Sequence, residues 1–136
     1  MARFTRAKDR SLDDQPLSGL RILLAEDEAL IALDVDETCR GHGAADVRVL
    51  RNGKSAVAAD LDNCDLAIID VMVGGHETVE LALALQRRRI PFIFATAHPL
   101  GAEISAGFPE VPVVRKPYFG DSLVDGLRNA IAQHRR

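Results

Sequence analysis

The sequence predicts an α/β domain: a doubly wound parallel sheet of five βα units, folded as a single domain. Three observations carry this expectation. From Leu20 onward, short apolar runs alternate with longer segments of helical period. The central runs are apolar without interruption, as strands covered on both faces are. Four of the runs stop abruptly on acidic, hydroxyl or basic residues, which gathers polar chemistry at strand ends.

Residues 1–18 are polar and aperiodic, broken by Asp13-Asp14-Gln15-Pro16, and read as a flexible N-terminal extension to a domain over residues 19–136. The first strand is Arg21-Ile22-Leu23-Leu24-Ala25, ending in Glu26-Asp27-Glu28. A helix follows with Ile31, Val35, Thr38 and Cys39 on one face, stopped by Gly41 and Gly43. Val47-Arg48-Val49-Leu50 gives the second strand, and Asn52 is placed to cap a short Ala-rich helix reaching Leu61. Leu66-Ala67-Ile68-Ile69 forms the third strand and delivers Asp70 at its carboxyl end.

The next helix, over residues 78–88, carries Val79 and Leu83 on one face and Leu81 and Leu85 on another. Such a helix suits a partner surface as readily as the sheet. Ile90-Pro91-Phe92-Ile93-Phe94-Ala95 is the fourth strand, closed by Thr96. Residues 99–112 mix prolines and glycines and leave room only for a short, loose fourth helix near Ala102–Ala106. Val113-Val114-Arg115-Lys116 ends the sheet at Pro117. The closing helix, over residues 121–133, aligns Leu123, Val124, Leu127, Ala130 and Ile131.

Composition narrows the function. The chain is 47% hydrophobic and 27% charged, which is ordinary for a globular domain. It has no Trp and few aromatics, so no stacking platform for single-stranded nucleic acid is expected. A net charge of −3 argues against a polyanion-binding surface, and the arginines near both ends read as solvated termini. Cys39 and Cys64 lie in no metal-binding spacing and read as two structural thiols of a reduced, cytoplasmic protein. The amino terminus lacks the apolar core of a secretory signal, and no apolar run reaches the ~20 residues that span a bilayer.

The chemistry lies at the strand ends. Glu26 and Asp27 follow the first strand, Asp70 the third, Thr96 the fourth, and Lys116 the fifth. The predicted topology brings all of them to one edge. Clustered carboxylates repel unless a cation is present. An oxygen-only set with open positions suits Mg²⁺ or Mn²⁺. Lys116 adds a point charge for an anion on Asp70, and Thr96 a hydroxyl donor. The set is what an aspartyl-phosphate requires: a nucleophilic carboxylate flanked by charge neutralisation.

Each part alone has a plainer meaning. An acidic pair after a strand is often a helix N-terminus in a favourable dipole. A strand-terminal Asp is usually a turn residue, and Lys-Pro is commonplace. The constellation is specific where its parts are not. A nucleotide or flavin enzyme would need a Gly-rich or hydroxyl-rich loop after a strand, where this chain has Glu26-Asp27-Glu28. A phosphohydrolase would ordinarily have a second Asp at position 72, which is Met72. The remaining alternative is a protein-binding module of the same fold that does not use phosphorylation.

From Leu20 to Arg135 the pattern resembles the receiver domain of bacterial two-component response regulators. The marks are Leu23-Leu24-Ala25-Glu26-Asp27-Glu28, Asp70-Val71-Met72-Val73-Gly74-Gly75, Ala95-Thr96-Ala97 and Lys116-Pro117-Tyr118. The resemblance implies a flavodoxin-like (βα)5 fold, with Asp70 as the phosphorylated residue. It implies a metal held by Glu26, Asp27, Asp70 and the backbone carbonyl of Met72. Thr96 would then be the switch hydroxyl, and Lys116 would contact the phosphoryl group. Such a domain is not an enzyme beyond its own phosphoryl transfer and loss.

Pro91-Phe92-Ile93-Phe94-Ala95-Thr96 is similar to the FAT-GUY subgroup, often stand-alone receivers. That implies a sensor histidine kinase of the HWE or a related class as partner, and a phosphotransfer or other downstream protein. No nucleic acid or membrane partner is implied, and the chain would be a monomer or weak homodimer. Four departures stand out. Ala97-His98 replace the subgroup's Gly and bulky residue, Val113 replaces a switching aromatic, Gly74 replaces the proline common after the phosphorylation site, and Met72 replaces Asn. His98 follows Thr96, where solvent exposure is the ordinary outcome.

Overall fold

The uninterrupted apolar runs build the sheet, and their two-residue side-chain period decides which helices cover each face. A computed structural model of the chain describes residues 15–51, 61–73, 76–118 and 121–134. Strands β1 (Arg21–Ala25), β2 (Asp46–Leu50), β3 (Leu66–Asp70), β6 (Phe92–Thr96) and β7 (Val113–Arg115) form a parallel sheet in the order β2-β1-β3-β6-β7. The remaining strands, β4 (Met72–Val73) and β5 (His76–Glu77), pair antiparallel immediately after β3. Among the described residues the complete helices are α1 (Ala29–Gly41), α2 (Val79–Arg87), α3 (Ala102–Gly107) and α4 (Ser122–His134).

Alternate residues of the central strands supply two cores. Ile22, Leu24, Ile68 and Ile93 pack with Val35 and Cys39 of α1 and with Leu123 and Leu127 of α4. On the opposite face Leu23, Ile69, Phe92 and Phe94 pack with Leu81, Ala82 and Leu85 of α2. The predicted doubly wound α/β sheet is therefore present, with its flavodoxin-like order. Most of the Ala-rich helix expected from Asn52 to Leu61 lies at residues 52–60, outside the described residues, and Leu61, at its expected end, is helical together with Asp62. Most of the expected N-terminal extension, at residues 1–14, is likewise outside them. Leu17, near the end of that extension, is fully buried in the first core, and its N–H donates to the His42 carbonyl.

Element edges differ from the sequence reading for local reasons. The fourth strand begins at Phe92 because Ile90 still serves α2. The Ile90 N–H donates to the Leu85 carbonyl and the Arg89 N–H to that of Gln86, a Schellman stop with Arg89 at φ 57°. The short fourth predicted helix is α3, six residues with none buried. Phe108 just beyond it is buried edge-to-face against Phe92 and Phe94. In α2, Leu81 and Leu85 are buried while Leu83 stays partly exposed. Both cysteines are free and buried, and burial pushes Cys39 up to about 12 and Cys64 up to about 11. No helix among the described residues is long and apolar enough to cross a membrane.

Helix α4 closes tightly over the strand that leads to Lys116. A Cβ on Gly126 would lie 2.6 Å from Cγ2 of Val114. Gly126→Ala should gain about 1 kcal/mol of helix propensity and lose about 1–3 kcal/mol to overpacking. Urea denaturation is expected to show a net loss, whereas Gly107→Ala, with open space around it, should show none.

Candidate functional site

The order β2-β1-β3 means that the chain leaves β1 outward to β2 and returns across it to β3. Ligands of open parallel sheets bind at such a reversal, outside the carboxyl ends of the strands. The register pairs Leu24 with Ile68 and Ala25 with Ile69, so the residues after β1 and the end of β3 are neighbours. Glu26, Asp27 and Asp70 meet there, each offering a carboxylate oxygen within 4.8 Å of the others. Glu26 is buried, Asp27 exposed and Asp70 half-buried.

Lys116 reaches this edge from the residue after β7. Its Nζ lies 2.5 Å from Oε1 of Glu26 and 2.6 Å from Oδ2 of Asp70, and its side chain is only 5% exposed. Burial acts to lower the pKa of this ammonium. Hydrogen bonds to Asp70 and Glu26, with their charges, outweigh it and hold the pKa above the ordinary lysine value. The second oxygen of Glu26 accepts the Glu28 N–H at 3.2 Å. Oδ1 of Asp70 accepts the Met72 N–H at 3.3 Å.

Thr96 is brought to the same edge, where it is buried. Its hydroxyl donates to the His98 carbonyl at 2.8 Å and accepts the His98 N–H at 3.2 Å, so it faces its own loop. His98 is exposed, as expected. Met72 follows Asp70 with its side chain 47% exposed. The Thr78 N–H donates to the Val71 carbonyl, which makes Met72 and Glu77 a non-hydrogen-bonded pair of the β4–β5 ladder. The Met72 carbonyl thus lies on the edge away from β5, the edge on which its N–H meets Asp70.

Three features escaped the sequence. Gly74-Gly75 between Met72-Val73 and His76-Glu77 is a hairpin signal, but the strands are too short to read as such. Thr78 looks like a helix cap, yet its hydroxyl donates to the Asp70 main-chain carbonyl at 2.6 Å. Tyr118 has a buried hydroxyl without a hydrogen-bond partner. Burial, followed by the charges of Glu26 and Asp70, raises its pKa above the usual phenol value. The sequence marks its position only through the Lys-Pro-Tyr tripeptide.

This arrangement has relatives. SdrG from Pseudomonas melonis, solved in its BeF3-activated conformation, is 34% identical, with 82% of this chain aligned to 97% of that one at a TM-score of 0.64. The regulatory protein PdtaR of Mycobacterium tuberculosis is 30% identical over 119 residues, covering 85% of this chain and 58% of the relative. The chain belongs to the response regulator receiver domains. TrrA, a response regulator of Thermotoga maritima solved with Mg²⁺ and BeF, shares the receiver fold at 23% identity and a TM-score of 0.69, over 82% of this chain and 98% of that one. No family model matches the chain. The receiver spans about half the length of the curated relatives it matches.

Removing the central cation of this receiver site tests its electrostatics. Lys116→Met leaves the buried Glu26 carboxylate without its ammonium, and is expected to cost about 3–5 kcal/mol in urea denaturation. Because the folded pKa of Lys116 is raised, its contribution is complete below the free lysine range near ~10.4 and fades as pH climbs through the higher folded value. The stability gap between parent and variant should therefore hold constant from neutral pH to about 10 and close above it.

Proposed function

We propose that this receiver accepts a phosphoryl group onto Asp70 from the phosphohistidine of a sensor histidine kinase, with a divalent cation bound beside it. The observation that carries the reading is the meeting of Glu26, Asp27 and Asp70 within 4.8 Å, with the Lys116 ammonium on Asp70. The donor set is all oxygen and rich in charge, which fits Mg²⁺ or Mn²⁺. Glu26, Asp27, Asp70 and the Met72 carbonyl would hold the ion. When bound, it would offset charge on the phosphoryl oxygens.

An oxygen of Asp70 attacks phosphorus while the P–N bond breaks, its electron pair passing to the departing imidazole. Lys116 stays close to the carboxylate as negative charge spreads over the phosphoryl group. Thr96 then has a reason to leave its own loop, since its hydroxyl can donate to a phosphoryl oxygen. That exchange would bias the neighbouring loop and α3 toward a second arrangement and alter protein contacts. We assign the chain to a cytoplasmic two-component pathway or phosphorelay, as a non-enzymatic carrier of the FAT-GUY type. Its kinase would be of the HWE or a related class.

Intact mass after incubation with acetyl phosphate and Mg²⁺ tests the reading. One added phosphoryl group is expected in the parent and none in Asp70→Asn or in the presence of a chelator. No gain in the parent, repeated with a phosphorylated kinase as donor, would leave the phosphorylation-independent binding module instead.

Met72 is half-exposed, and its backbone N–H bonds the Asp70 carboxylate, so we infer that its side chain alters access of the hydrolytic water. Met72→Asn, which replaces an apolar group by a hydrogen-bonding one, is expected to change the decay rate of the aspartyl-phosphate. An unchanged rate in a radiolabel chase would remove Met72 from that role.

A further inference from the structure

Thr78 precedes α2, where a threonine ordinarily accepts a hydrogen bond from an N–H in the first turn of its own helix, worth about 1 kcal/mol. Here that bond is not made. The hydroxyl turns backwards, donating to the Asp70 main-chain carbonyl at 2.6 Å and lying 3.1 Å from the Val71 carbonyl. The Val71 carbonyl also accepts the Thr78 N–H at 2.9 Å. Thr78 is 2% exposed and its bonds to the half-buried turn are part-buried, so losing the hydroxyl leaves polar groups poorly satisfied. The Thr78 carbonyl in turn accepts the Ala82 N–H in the first turn of α2. One residue therefore ties the backbone of the acceptor to a helix packed on the sheet.

The consequence falls on the next carbonyl. Those of Asp70 and Val71 are both occupied by Thr78, and the ladder leaves that of Met72 on the edge shared with the Asp70 carboxylate. We propose that Thr78 is a positioning residue of the acceptor site. It fixes the turn after β3 so that the Asp70 carboxylate and the Met72 carbonyl face the same divalent cation. The inference rests on the metal-dependent acceptor reading and adds to it a residue that touches neither metal nor phosphoryl group. Partners behind a metal's ligands commonly change affinity by about 10–100-fold when removed.

The test is calorimetric titration of the full chain with Mg²⁺ alone, with folding checked by urea denaturation. Thr78→Val keeps the branched shape and removes the hydroxyl, and Thr78→Ala serves should the valine chain fail to fold. Thr78→Ser retains the hydroxyl. About tenfold weaker Mg²⁺ binding is expected for Thr78→Val, with affinity restored in Thr78→Ser. Parent affinity in a hydroxyl-free variant would overturn the proposal, as would equal impairment of Thr78→Ser. So would the failure of both hydroxyl-free chains to fold, which would make the role structural. A parent chain that takes up no Mg²⁺ would instead overturn the acceptor reading beneath it.

Discussion

The functional edge depends on one ammonium group. Strands β1 and β3 are hydrogen-bonded neighbours, so the carboxylates at their ends are held together by the sheet itself. Two unit charges 4 Å apart repel by about 4 kcal/mol at an effective dielectric near 20. That is a large fraction of the ~5–15 kcal/mol that stabilises a domain. Lys116 bonds both Glu26 and Asp70 and relieves this repulsion from within the protein. The rest of the chain holds it there. Its N–H donates to the Thr96 carbonyl at 2.8 Å, joining it to β6, and α4 closes on β7 where Gly126 meets Val114. The apolar cores position a cation as much as they position one another.

This dependence explains why the edge was legible in the sequence while its inner wiring was not. Apolar runs ending in Glu26, Asp70, Thr96 and Lys116 report directly on strand direction, because a parallel sheet must present all carboxyl ends together. The core faces of α1 and α4 follow from helical period, and Val35, Cys39, Leu123 and Leu127 are buried as that period requires. Thr78 is different. A hydroxyl before an amphipathic helix has one common use, and nothing local signals that it is turned onto the preceding turn. The β4–β5 ladder is likewise set by two residue pairs, too few for periodicity to register. Lys116 stands one residue past β7 because a strand's last hydrogen bond depends on its neighbour, which the local text does not contain.

The two sides of the site are secured very unequally. On the side of β1 and β3, Asp70 is bound through Oδ1 by Met72, through Oδ2 by Lys116 and through its main-chain carbonyl by Thr78. On the side of β6, the Thr96 hydroxyl is bound only to the backbone of its own loop among the described contacts. That loop leads to α3, which buries no residue of its own and is anchored at its far end by Phe108. Beyond it Val113, on the edge strand, is 43% exposed and offers no aromatic ring to couple loop and helix. Segments with few buried contacts open at low free energy. A new ligand on Asp70 can shift an equilibrium only by binding two arrangements unequally. The acceptor side holds too many bonds to supply a second arrangement cheaply. In the proposed reading the difference would arise where two bonds to His98 are exchanged for one to the ligand, and α3, held to the second core only through partly buried Ile104 and through Phe108 beyond its end, would follow.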